Sequence, residues 1–159
     1  MATSLRKPDA GIASAAPGTA DRGELPSRLR LVITRTARRL RQEAGTELGP
    51  SQTAALATIE RHGPLTPSEL AALERVKRPT ATRIVARLES EDLVARVADP
   101  ADGRSFTVSV TSKGSALMRR LRTRKNAYLA RRLRGLEGED LETLARAAEI
   151  LEGLLEGER

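Results

Sequence analysis

The chain has 159 residues, 39% apolar and 31% charged, with a formal net charge of +7 and a pI near 10.9. That is one domain's worth of chain, with room for one real core, and one Phe, one Tyr and no Trp favour packed helices over a sheet sandwich. With no cysteine and His62 as the single histidine, disulfides, thiolate metal sites, cysteine nucleophiles and multi-histidine metal centres are excluded, and no apolar run approaches the roughly 18 to 20 residues that cross a bilayer.

Residues 1–24 are rich in Ala, Gly, Ser, Thr and Pro without an apolar period and read as a disordered tail. No long apolar core follows its basic residues, so no secretory signal is read and a cytoplasmic protein is expected. From Pro26 the pattern turns helical, with Leu29, Val32, Ile33, Ala37 and Leu40 at spacings of three and four. The opposite face is basic, and the helix should end near Gly45 to Gly49. Ser51 opens a second helix through Ala55, Leu56 and Ile59, ended by His62-Gly63.

Thr66-Pro67-Ser68-Glu69 is a capping box with Pro at the first helical position. A short helix follows through Leu70, Ala71 and Leu73. A joint from Arg75 to Arg78 leads to Pro79 and a helix reaching about Glu89. Ala81, Ile84, Val85 and Leu88 cluster on one side of it at about 100° per residue. Arg83 and Arg87 point the other way, with Thr80 and Thr82 on the flanks.

The period then changes to two. Leu93 to Val97 and Phe106 to Val110 read as strands joined by Asp99-Pro100-Ala101-Asp102-Gly103-Arg104. A hairpin this small must lean on the helices before it. Thr111-Ser112 starts a long helix with Leu117, Leu121, Tyr128, Leu129, Leu133 and Leu136 as its stripe. A last helix carries Leu141, Leu144, Ala148, Leu151 and Leu155 at spacings 3, 4, 3, 4. That seam fits either an association surface or packing inside one copy.

The charge is polarised. Residues 75–87 hold Arg75, Lys77, Arg78, Arg83 and Arg87 with no acid, and residues 113–134 hold nine Lys or Arg with none. Residues 137–159 reverse the sign, with eight Asp or Glu. Such a molecule fits nucleic acid as a partner.

Two short helices joined by a tight turn, then a hairpin with a basic tip, make a winged helix-turn-helix. A major groove about 12 Å wide admits one helix. Arg83 and Arg87 stand where base edges or phosphates would be, although Arg87 can instead pair with Glu91 at i,i+4. Thr80 and Thr82 can meet thymine methyls or phosphates, and Lys77 and Arg78 suit phosphates. Arg104 would reach the minor groove, and Asp102 can pair with it and stiffen the turn. No nucleophile–base pair, glycine-rich phosphate loop or metal spacing points to an enzyme, and no cofactor is expected. A sequence-neutral architectural DNA binder is the alternative reading.

The run from Leu65 to Gly114, including "LVAR", "DPADGR" and "T-S-K-G", resembles the DNA-binding lobe of the MarR family of bacterial transcription regulators. With the flanking helices, the resemblance spans about residues 26–157. It implies a mainly α fold with a small two- or three-stranded antiparallel wing. The helical dimerisation region would be 25–50 and 112–157, and the winged helix-turn-helix lobe 51–111. It also implies a homodimer on a palindromic double-stranded operator. Many such proteins are repressors released by a small aromatic or phenolic effector bound between the two regions. On this resemblance Arg104 is the wing arginine, Asp102 its supporting aspartate, and Pro79, Thr80, Thr82 and Arg83 are recognition-helix contacts. The chain departs from the family pattern in three ways. Glu91-Asp92-Leu93 stands where a glycine is common, aromatic residues for stacking a phenol are scarce, and cysteine-based oxidant sensing is excluded.

Overall fold

A computed structural model describes residues 23–46, 48–98 and 106–156. Most of the amino-terminal tail and the Asp99–Arg104 turn, with Asp102 and Arg104, lie outside the described residues. The described elements are α1 (Leu25–Ala44), α2 (Pro50–His62), α3 (Pro67–Leu73), α4 (Arg78–Ser90), β1 (Val94–Ala98), β2 (Phe106–Val110), α5 (Ser112–Leu133) and α6 (Gly138–Glu156). They divide into two compact units, Met1–Thr36 and Ala37–Arg159. In the first, Leu25, Leu29, Leu31, Val32 and Ile33 are all exposed.

Local chemistry sets the boundaries in the second unit. α1 stops where Gly45 adopts φ +59°, the left-handed turn that glycine takes without a steric cost. The Arg124 guanidinium of α5 donates to the carbonyls of Ala44 and Gly45 at 3.0 and 3.3 Å, placing a cation on the negative end of that helix. α2 begins at Pro50, one residue before the Ser51 start read from sequence. The Gln52 side chain reaches back to the Gly49 N–H at 2.7 Å, so Gly49 needs no side chain of its own to start the helix.

Thr66 and Glu69 form the capping box. The Glu69 N–H donates to the Thr66 hydroxyl at 3.2 Å and the Thr66 N–H to the Glu69 carboxylate at 2.7 Å. Thr111 caps α5 by accepting from the Gly114 N–H at 3.0 Å, and its hydroxyl donates to the Asp92 carbonyl at 2.7 Å.

The core gathers Leu56 and Ile59 of α2, Leu70 of α3, Val85 and Leu88 of α4, Val108 of β2 and Leu121 of α5. Burying each such side chain contributes about 1.5–3 kcal/mol. Met118 also lies in this core. The stripe read from sequence passed over it, because Leu117 and Leu121 alone satisfy the helical spacing.

β1 and β2 pair antiparallel from Val94↔Val110 to Ala98↔Phe106. Leu65 adds one bridge to Val108, with backbone hydrogen bonds of 3.0 and 2.7 Å. The sheet is therefore two strands with a one-residue third. α6 has no buried residue; Leu141, Leu144, Ile150, Leu154 and Leu155 are exposed. No helix is long and apolar enough to cross a membrane among the described residues.

Candidate nucleic-acid interface

The turn between α3 and α4 decides how α4 is presented. Arg75 takes φ +51°, a conformation that L residues adopt at a cost. The Val76 N–H then returns to the Ala71 carbonyl at 2.9 Å, and the Val76 side chain packs against the core. The Thr58 hydroxyl of α2 donates to the Glu74 carboxylate at 2.5 Å. α2 thereby pins the turn from below, a tie between residues sixteen apart that local patterning does not reveal.

α4 begins at Arg78 with Lys77 as its N-cap, so Pro79 stands one position inside the first turn, where its missing N–H has no intrahelical partner to lose. Ala81, Val85 and Leu88 are buried and Ile84 is half-buried, as the periodicity requires. Lys77, Arg78, Pro79, Thr82, Arg83 and Arg87 form the outer face, with Thr80 half-buried on its edge. Among the described residues, Lys77, Arg78 and Arg83 have no carboxylate within 4.0 Å. Arg87 differs: its guanidinium meets Glu91 at 2.8 Å. The Thr82 hydroxyl donates to the Arg78 carbonyl at 3.0 Å, and the side chain is exposed.

Gly49, Pro50, Ser51 and Gln52 wall a shallow depression beside Thr80, Arg83 and Ile84. The start of α2 thus flanks the outer face of α4, which no sequence motif signalled. β1 contributes Arg96, whose Nε meets the Glu89 carboxylate of α4 at 2.8 Å. Sequence reading had given Arg96 no role.

The basic run on α5 is partly neutralised inside the chain. Arg122 pairs with Glu60 at 2.6 Å, and Glu43 meets Arg39 at 2.8 Å and Arg131 at 3.8 Å. The Tyr128 ring has the guanidinium of Arg132 at 5.4 Å and that of Arg39 at 5.7 Å. Hydrogen bonding to Arg132, then to Arg39, holds its phenol below the usual value. On the outer face of α4, Lys77, Arg78 and Arg83 meet no carboxylate among the described residues, whereas Arg122 and Arg131 of α5 each do.

Two cavities lie between the end of α1 and the elements below it. One, of about 220 Å³, has Ala44, Leu48, Thr53 and Leu121 with Arg41 and Lys125 among its lining residues. The other, of about 680 Å³, has Leu93 and Leu117 with Arg87, Lys113 and Arg120. No aromatic ring among the described residues lines either. Among the described residues no cluster of three His, Cys, Asp or Glu could hold a metal ion.

Known proteins are similar to this chain in sequence and fold. The family model of the MarR family matches residues 48–106. An uncharacterised HTH-type transcriptional regulator of Mycobacterium bovis is 35% identical over 133 residues, covering 83% of this chain and 93% of that protein. The HTH-type transcriptional repressor MdtR of Bacillus subtilis is 33% identical over 92 residues, covering 58% of this chain and 59% of its own. The solved structure of a MarR family protein from Bacillus stearothermophilus is similar with a TM-score of 0.72. It is 25% identical and the match covers 84% of this chain and 94% of that one.

Proposed function

The chain belongs to the MarR family of DNA-binding transcriptional regulators, which are not enzymes, and from that premise we propose that it is a sequence-specific dimeric repressor. It would read a palindromic duplex through α4 and be released by a small organic ligand. The observation that carries this reading is the outer face of α4, where Arg83 stands exposed with no carboxylate within 4.0 Å among the described residues. A guanidinium left free in this way can offer its fork to the two acceptors of a guanine, a contact worth about 1–3 kcal/mol of discrimination. Lys77 and Arg78 at the start of the helix supply phosphate contacts that set its register. Arg104 is assigned the minor groove, with Asp102 supporting it.

The dimer is proposed from α6. Among the described residues nothing fully buries its leucine seam, with Leu141, Leu144 and Leu155 exposed and Leu151 half-buried, and a second copy would cover it. The repressor relative from Bacillus subtilis supports repression as the output. For the ligand, the cavity beside Arg41 and Lys125 offers aliphatic walls and two cations. It suits a small organic anion held by charge and aliphatic contact rather than by ring stacking.

The test is a gel shift on the DNA upstream of the chain's own gene against random duplex of equal length. Wild type should prefer the former, and Arg83→Ala should lose that preference while retaining salt-sensitive binding to both. Equal binding of both duplexes by wild type and variant alike would mean a sequence-neutral architectural protein instead.

A further inference from the structure

We infer that Arg96 is a positioning residue for DNA binding, tying the outer half of the wing hairpin to the end of the recognition helix through Glu89 and Phe106. The inference rests on the DNA-reading role proposed above. The two halves of the hairpin are held differently. Its inner half is anchored by Val94 and Val108, both buried, and by the Leu65 bridge. Beyond Val94, every described residue of β1 is exposed. There the Arg96 Nε meets the Glu89 carboxylate at 2.8 Å, and its guanidinium carbon lies 4.5 Å from the centre of the Phe106 ring. In the strand register Arg96 faces Val108, so Phe106 is its diagonal neighbour on the same face of the sheet. One guanidinium therefore touches the last turn of α4 and the first residue of β2.

Both contacts are exposed, with Arg96 and Glu89 side chains 35% and 39% accessible. Contacts of that kind add little to stability. Their effect on geometry is larger, because a two-stranded ribbon has no fixed lean of its own. Arg96 stands opposite Val108, where the fully buried anchors end, and beyond it only the half-buried Phe106 packs on the core, so a weak tie there biases where the ribbon's end points relative to α4.

The test turns on a sign. Glu89→Gln removes a negative charge from a DNA-binding face, so electrostatics alone predicts tighter binding. Positioning by Arg96 predicts weaker binding. The probes are a duplex that wild type selects from genomic fragments and a random duplex of equal length. Glu89→Gln and Arg96→Ala should each weaken binding to the selected duplex by roughly threefold to fivefold, with the thermal midpoint almost unchanged. Arg96→Lys should not restore it, since a lysine lacks the planar face that lies on Phe106. Binding by Glu89→Gln as tight as wild type or tighter overturns the inference, as does a parallel loss of midpoint and affinity. Should wild type select no fragment, the repressor reading fails on its own. Hydrogen exchange then still decides the tie. The Val97 and Thr107 amides should exchange faster in Glu89→Gln while those of α2 do not, and unchanged exchange overturns it.

Discussion

Gly114 lies so close against the backbone carbonyl of Leu93 that a β-carbon on residue 114 would occupy the space of the oxygen. The carbonyl is fixed, because Leu93 is buried and its oxygen accepts from the Thr111 N–H at 3.1 Å. Gly114 is thus where the start of α5 can pass behind the entry to the wing. Gly114→Ala should cost at least about 1–3 kcal/mol, since neither backbone can yield. Gly135→Ala, with nothing within 4 Å of the new carbon, is the control and should be near neutral. Urea midpoints of the two variants check this.

Asp92 holds φ +57° where α4 hands over to β1. Where a glycine is common in the family, the aspartate itself takes the left-handed conformation. Its carboxylate touches Lys113 only at 3.5 Å and is largely exposed, so little holds that side chain in place. Asp92→Gly should therefore raise stability by about 0.5–1 kcal/mol, while Asp92→Ile should lower it by more. The denaturant midpoint should move without a change in slope. A midpoint that falls in the glycine variant counts against a strained turn.

What local patterning could reach and what it could not divide cleanly here. Thr66–Glu69 and the buried face of α4 follow from spacings of three and four. Their partners lie within one helical turn, so they stand in the structure as read. The hairpin strands likewise match to within a residue. The ties that orient these pieces join distant residues: Thr58 to Glu74, Arg124 to Ala44, Arg96 to Glu89. A charged residue announces that it will seek a partner, not which one. For the same reason the count of nine cations over residues 113–134 does not show that Glu60 and Glu43 neutralise part of the run. Arg87 in the last turn of α4 and Glu91 at its C-cap, four residues on, form the pair that spacing alone allowed as an alternative.

Glu69 gives the protein a pH dependence of known sign. Accepting hydrogen bonds from the Thr66 backbone and then from its hydroxyl keeps the Glu69 carboxylate below the usual carboxylate range. A folded value lower than the unfolded one means stability that is present above the unfolded value. That stability is lost as pH falls through the folded one. Glu69→Gln keeps a capping side chain but cannot titrate. Its urea midpoint should fall less steeply than that of wild type across this acidic window. Parallel profiles would show that the carboxylate is not the titrating cap.

The seam on α6 predicts the state of association. Leu144 is 47% exposed, and Leu151 is only half-buried. If a second copy covers both, Leu144→Glu with Leu151→Glu should weaken the dimer by at least about a hundredfold. Sedimentation should then find a folded single copy with its α2–α5 core intact. A variant that stays dimeric at the same concentration removes α6 from the interface.

Arg87 and Glu91 offer the sharpest test of how α4 uses its charge. Arg83 and Arg87 are both exposed on the outer face, but the Arg87 guanidinium is 2.8 Å from Glu91 while Arg83 has no such neighbour among the described residues. An arginine already paired must give up that partner before it can serve a phosphate, and the nearby acid repels the backbone as well. Arg83→Ala should therefore cost about 1–3 kcal/mol of binding, and Arg87→Ala clearly less. Glu91→Gln should do the opposite of a loss. It frees Arg87, tightens binding, and steepens the dependence of log K on log salt by roughly the amount of one added phosphate contact. The comparison is a salt titration of the three variants on one duplex. An unchanged slope and affinity in Glu91→Gln would mean that Arg87 faces no phosphate in either state, and that its place on α4 is structural.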